Sequence, residues 1–280
     1  MEKRSRICKE ILKECLIIAG AWYTVAATIF NFYIPSIDYS HFRFQLKKEK
    51  TAIVEQYKPN KTYAIFIVGF PNSNPGIRKD EVKTKKAVDE LNKNRNIEAA
   101  LISYKDCENG RDLLQNLEEK IAEFSEKVTN EDAFVFGYNG HGEYSPKGVN
   151  LSLGNNTYIA PSSLNYYLSL IDAKYNIVII SSCYSKNFEN LKGKNRIIIL
   201  SESKGKVTTS FGGFTSDVFS NKKEADKDKN GKVSLEESFI YAAENDWFTN
   251  YATVFLQLPR QCPQLLSKGI EPNAVYLFDK

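Results

Sequence analysis

The sequence predicts an α/β fold with a mainly parallel central sheet and helices on both faces. Short, strongly apolar β-prone runs recur between residues 62 and 201, and stretches with helical spacing separate them. Strands that alternate with helices need crossover connections, which cover both faces of the sheet. Over 280 residues the chain is 42% hydrophobic and 26% charged, enough apolar material for a packed core and against wholesale disorder.

The elements follow in order. TYAIFIVG (62–69) is an apolar run ending in Gly and predicts a buried strand. Residues 80–93 are charged, with Val82, Val88 and Leu91 as a sparse apolar face, and predict a surface helix. IEAALISY (97–104) is a second strand. Asn109 and Asp112 flank the start of a helix whose Leu113, Leu114, Leu117, Ile121, Phe124 and Val128 recur at helical spacing. AFVFGY (133–138) is a third strand. VNLSLGNNTYIA (149–160) alternates around Gly154-Asn155 and predicts a hairpin. Residues 162–173 suit a helix, NIVIISS (176–182) a fourth core strand and RIIILS (196–201) a fifth. Residues 38–61 are Lys-rich, polar and aromatic, and read as a connector or a peripheral strand; the domain proper is expected over 62–280. There is no internal repeat and no low-complexity tract.

Residues 15–37 form an uncharged stretch of 23 residues behind Lys3, Arg4, Arg6, Lys9 and Lys13. A bilayer span needs about 20 apolar residues, and basic flanks favour the cytoplasmic side. Three readings stay open. The segment is a membrane anchor with the rest outside the cytoplasm, an export signal cut near Val25-Ala26-Ala27, or a helix packed on a soluble cytoplasmic domain. Glu10, Glu14, Asn31 and several tyrosines speak for the last.

Composition removes several functions. The 38 basic and 34 acidic residues give a net charge of +4, no basis for nucleic-acid binding through bulk charge. With His41 and His141 as the only histidines, a multi-His metal site is impossible. Cysteines at 8, 15, 107, 183 and 262 form no C-x-x-C, and their odd count argues against a dense disulfide framework. GFPNSNPG after the first strand is neither a dinucleotide fingerprint nor a Walker loop.

In a parallel sheet, sites gather at the carboxyl ends of the strands. The third strand runs on into Tyr138-Asn139-Gly140-His141-Gly142, and the fourth into Ser181-Ser182-Cys183-Tyr184-Ser185. If these strands are neighbours, His141 and Cys183 leave the same rim. A thiol is only a few per cent ionised at neutral pH, and an imidazole beside it can take its proton and return one to a leaving amine. The backbone N–H groups of Gly142 and Cys183 would supply an oxyanion hole. The plainer alternatives are a cysteine that fills core space and a histidine that serves only its own loop.

FVFGYNGHGE (134–143), NIVIISSCYSKNF (176–188), RIIILSESKGKVTTSFGGFTSDVF (196–219) and PRQCPQ (259–264) share an order and approximate spacing with a known family. Over residues 62–266 the chain resembles the caspase-like clan of cysteine peptidases, and within it the legumain-like (asparaginyl endopeptidase) family and its bacterial and archaeal relatives. The resemblance implies a caspase-like three-layer sandwich and a catalytic dyad of Cys183 and His141. It also implies an S1 pocket drawing on Arg78, Ser181, Ser210 and Asp217. An arginine and an aspartate together could hold a carboxamide, so Asn at P1 is expected first and Asp second. The family usually has an acidic residue where this chain has Ser181, which removes one charge from that pocket. Arg78 could equally be an exposed loop residue, and Ser210 and Asp217 turn or cap residues.

Residues 226–237 match D-x-[DN]-x-[DN]-G-x5-E at every fixed position. Asp226, Asp228 and Asn230 offer side-chain oxygens, Gly231 permits the turn, and Lys232 contributes its carbonyl. Ser234 stands at position 9, and Glu237 can bind bidentately. A single such loop predicts a calcium ion that stabilises rather than senses; the alternative is a polar loop capping the helix that runs from Leu235 through Trp247. No organic cofactor is expected. The function expected is a cysteine endopeptidase acting on peptide or protein substrates, with a membrane as partner under the anchor reading. A transamidase using the same acyl-enzyme and a non-catalytic, calcium-stabilised binding module are the alternatives.

Overall fold

A computed structural model of the chain describes residues 45–48, 58–70, 75–145, 148–191, 193, 195–201, 218, 223–245, 263–268 and 270–278, all within the unit Phe44–Lys280. Residues 1–37, His41, Ser210, Asp217 and Trp247 lie outside the described residues. Among the described residues no helix is long and apolar enough to cross a membrane.

The elements are β1 (Gln45–Lys48), β2 (Thr62–Val68), α1 (Pro75–Leu91), β3 (Ile97–Ser103), α2 (Gly110–Lys127), β4 (Ala133–Asn139), β5 (Gly142–Ser145), β6 (Gly148–Gly154), β7 (Thr157–Ile159), α3 (Pro161–Ser169), β8 (Tyr175–Ser181), β9 (Arg196–Leu200), β10 (Val233–Ser234), α4 (Leu235–Asn245), β11 (Gln264–Lys268) and β12 (Tyr276–Phe278). The central sheet has the order β1-β11-β9-β8-β4-β2-β3. From β9 to β3 every pairing is parallel. β11 runs antiparallel to β9, and β1 lies parallel to β11 at the edge, inside the segment read as connector or peripheral strand. The fold class is therefore α/β with a mainly parallel sheet.

β2, β4, β8 and β9 are buried on both sides over most of their length, and their alternate residues feed two cores. Ile65, Ile67, Phe134, Phe136, Tyr138, Val178 and Ile180 pack with Leu113, Leu117, Ile121 and Phe124 of α2 and with Leu164 and Leu168 of α3. Ala64, Phe66, Val135, Ile177 and Ile179 pack with Val88 and Leu91 of α1 and with Leu235, Phe239 and Ala242 of α4. These are called the α2 face and the α1 face below. Such two-sided burial explains why the strands read as continuous apolar runs.

β5, β6 and β7 form a separate antiparallel sheet whose Val149, Leu151, Leu153 and Ile159 join the α2-face core. Asn155 and Asn156, with φ of 48° and 57°, make the two-residue turn between β6 and β7, as a type I′ hairpin requires. β10 pairs antiparallel with β12.

Two helix boundaries differ from expectation. α1 spans Pro75–Leu91, not 80–93, because Pro75 opens the helix at its first position, ahead of the apolar residues. α3 spans Pro161–Ser169, not 162–173: Leu170 closes it by donating to Tyr167, and buried Ile171 continues the apolar pattern outside the helix. At α2 the Asn109 side chain accepts from Arg111 N at 2.8 Å and Asp112 N at 3.3 Å, a true N-cap. At the far end of the sheet, the Asn92 amide donates to Ala99 O and accepts from Ala99 N in β3, both at 2.8 Å.

Candidate active site at the rim of β4 and β8

β4 and β8 are adjacent and parallel, with Asn139 opposite Ser181 at their carboxyl ends. The ladder continues one step further, where Gly140 N donates to Ser181 O at 3.2 Å. His141 and Cys183 thus leave the sheet side by side. The chain turns at Gly140-His141 and enters β5 at Gly142. There the backbone passes so close to Cys183 that a Cβ on residue 142 would lie 1.9 Å from the Cys183 carbonyl oxygen. Only glycine fits.

Ser152 N donates to His141 O at 2.9 Å, so residues 141 and 152 form a hydrogen-bonded pair. Gly142 and Leu151, the next pair, are then at the non-hydrogen-bonded register. The Gly142 N–H therefore faces away from β6. Tyr138, fully buried, places its hydroxyl 2.9 Å from His141 O and 2.7 Å from Ser152 O. Burial pushes this phenol well above its ordinary value, and the charges of Glu143 and Cys183 push the same way. The loop bearing His141 is thus tied to both the strand before it and the hairpin behind it.

Cys183 is 7% exposed and not part of a disulfide. The backbone before it is fastened to the end of β9. Ser201 N donates to Ile180 O at 3.0 Å, Ser182 N donates to Ser201 Oγ at 3.2 Å, and Ser182 Oγ donates to Cys183 O at 3.2 Å. Tyr184 follows with φ of 57°, a left-handed conformation that turns the chain sharply into the 3-10 stretch Ser185–Leu191. Asn187 closes this turn by donating to Tyr184 O from its backbone N and its Nδ2.

Ser181 is 1% exposed and continues the row of Ile177 and Ile179 on the α1 face. Its Oγ has no hydrogen-bond partner among the described residues. Beside it, Asn139 Nδ2 donates to Thr84 Oγ1 of α1 at 2.8 Å. Arg78 lies in the first turn of α1 rather than in a loop. Ser181 and the helix carrying Arg78 thus share one face of the sheet.

Sequence reasoning missed Tyr138, which reads as one more core aromatic. It missed Ser201 as well, which reads as the polar end of a strand. Neither carries a signal by itself, because their partners come from elements distant in sequence.

At the second predicted site, oxygens of Asp226, Asp228 and Glu237 lie within 4.8 Å of one another. Gly231 has φ of 83°, and its N donates to Asp226 Oδ2 at 3.1 Å. Asn230 N and Nδ2 donate to the two Asp228 oxygens. Glu237 Oε1 accepts from Lys227 N at 2.9 Å and Oε2 from Ser234 N at 2.9 Å, which draws this carboxylate into the loop. Lys232 is exposed, while Ser234 is buried in β10. On the incoming side a short 3-10 turn, Lys223–Ala225, stands where a complete hand would have an α-helix.

No family model matches the sequence, and no curated protein sequence matches it. Among solved structures, the chain is similar to caspase-1 from Spodoptera frugiperda, at 13% sequence identity and a TM-score of 0.48, over 76% of this chain and 88% of that one.

Proposed function

We propose that the protein is a cysteine endopeptidase with Cys183 as nucleophile and His141 as its acid–base partner. The observation that carries this reading is the close passage of Gly142 over the Cys183 carbonyl at the shared end of β4 and β8. In the proposed reaction, His141 takes the thiol proton and the Cys183 sulfur attacks the substrate carbonyl carbon. The oxyanion is met by the outward N–H of Gly142 and the N–H of Cys183. His141 passes its proton to the leaving nitrogen, the C–N bond breaks and a thioester remains. Water, deprotonated by His141, then releases the acid and restores the thiol.

P1 is proposed as Asn or Asp, held near Arg78 and Ser181 with Ser210 and Asp217. A calcium ion is proposed at Asp226, Asp228, Asn230, the Lys232 carbonyl, Ser234 and Glu237. The convergence of three carboxylates around a left-handed Gly231 supports that donor set, and a hard cation would offset their charge. Its role is to hold the loop before α4.

The test uses the chain with Cys183 intact and with Cys183→Ala, incubated with and without calcium against peptides varied at P1. Cleavage sites are read by mass spectrometry. Cleavage after Asn or Asp only when Cys183 is present is expected; equal rates in the two proteins would sink the proposal. The uncharged, buried Ser181 favours a second reading, a binding module that does not turn over. Failure of a peptide electrophile to label Cys183 selectively would favour that reading.

A further inference from the structure

A cavity of about 370 Å³ opens beside the turn that follows Cys183, lined by Tyr144 and Val149 of the hairpin and by Tyr184, Lys186, Asn187, Glu189 and Asn190 of that turn. We infer that it receives a large apolar or aromatic side chain on the leaving-group side of the scissile bond. The inference rests on the peptidase reading.

Continuity with the proposed nucleophile is the first argument. Tyr184 follows Cys183 directly, and Tyr144 lies two residues beyond Gly142, whose Cα touches the Cys183 carbonyl. The second is direction. Val149, Phe188 and Leu191 place these walls with the α2-face core. Ser181 and the helix of Arg78 belong to the α1 face. With P1 taken toward the α1 face, the side of the thiol where this cavity lies is left open to the residues beyond the scissile bond.

Size and chemistry complete the case. The volume sits at the small end of the range of ligand pockets, about 300 to 1,000 Å³, so it has room for a large side chain. Tyr144 is 77% exposed, an aromatic surface that gains by being covered. Lys186 and Glu189 bring opposite charges to the rim, so the walls rather than net charge select the occupant.

The test uses the full chain and peptides identical through P1. One series ends in an aminocoumarin; the other continues with Phe or Ser at each of the first two leaving-group positions. The wild type should prefer Phe over Ser at one position in kcat/KM. Tyr144→Ala should lower that preference about two- to tenfold, the value of one aromatic contact. Tyr144 is a surface residue, and a thermal melt checks that the variant folds. Cys183-dependent release of aminocoumarin with no Phe preference, or a preference unchanged in Tyr144→Ala, would overturn the subsite alone. No turnover of either series, or turnover unchanged in Cys183→Ala, would overturn the peptidase reading and the subsite with it.

Discussion

The Cα of Gly142 rests against the carbonyl of Cys183, and a methyl group there would come within 1.9 Å of the oxygen. The two loops that would carry the chemistry are therefore set by backbone contact, not by their side chains. Gly142→Ala should push them apart and misdirect one oxyanion donor. Loss of such a donor costs about 10²- to 10³-fold in kcat. Steady-state kinetics should show that loss while the far-UV circular dichroism is kept.

Tyr138→Phe would strip the shared hydroxyl from the His141 and Ser152 carbonyls. A buried acceptor left unpaired costs about 1–3 kcal/mol, measurable by denaturant unfolding. The folded protein holds this phenol protonated, with its value raised by burial. Its contribution is full below the unfolded value near pH 10 and is lost as pH climbs through the higher folded one. The wild-type advantage over Tyr138→Phe should therefore narrow above about pH 10.

Calcium should raise the melting temperature of the wild type, because a ligand that binds only the folded chain stabilises it by about 2.7 kcal/mol at a hundredfold excess over Kd. Asp228→Asn keeps an oxygen for one of the two exposed Asn230 contacts and removes a negative charge. Affinity should fall about tenfold or more while the calcium-free melting temperature barely moves. Differential scanning calorimetry across a calcium titration separates the two effects.

Glu98 accepts from Lys61 Nζ at 2.6 Å and Lys127 Nζ at 2.8 Å, and the Lys127 bond followed by the Lys61 bond holds its carboxyl below the usual range. A depressed acid stabilises above its unfolded value, near pH 4.3, and loses that contribution as pH falls through the folded one. Glu98→Gln should be less stable than wild type at pH 7, and the gap should close as pH falls through the folded value. A gap of constant size across the acid range would assign the effect to packing instead. Added salt should shrink the gap at pH 7, since the partners are partly exposed.

The core strands were legible because β2, β4, β8 and β9 are buried on both faces and read as unbroken apolar runs. The short strands were not. β5 is Gly-Glu-Tyr-Ser and exists because β6 lies beside it. β11 hides Gln264 and Ser267 in the sheet, against the usual preference of both residue types. Pro75 did announce the start of α1, but the apolar face that would confirm it is sparse: Val88 and Leu91 are buried, whereas Val82, expected to join them, is 61% exposed. At the site, strand ends alone brought His141 and Cys183 together. What lies to either side of them depends on which face α1 and the hairpin occupy, and no local pattern encodes that.

The pair of hydrogen bonds between Asn92 and Ala99 has a consequence for how this protein behaves in concentrated solution. Among the described residues β3 ends the sheet, and an open strand edge is a template on which other chains aggregate. One amide supplies both the donor and the acceptor that an incoming strand would bring. A foreign strand must break two bonds there before it makes any. A single asparagine side chain thus resists, at this edge, the stacking of one molecule's sheet onto the next.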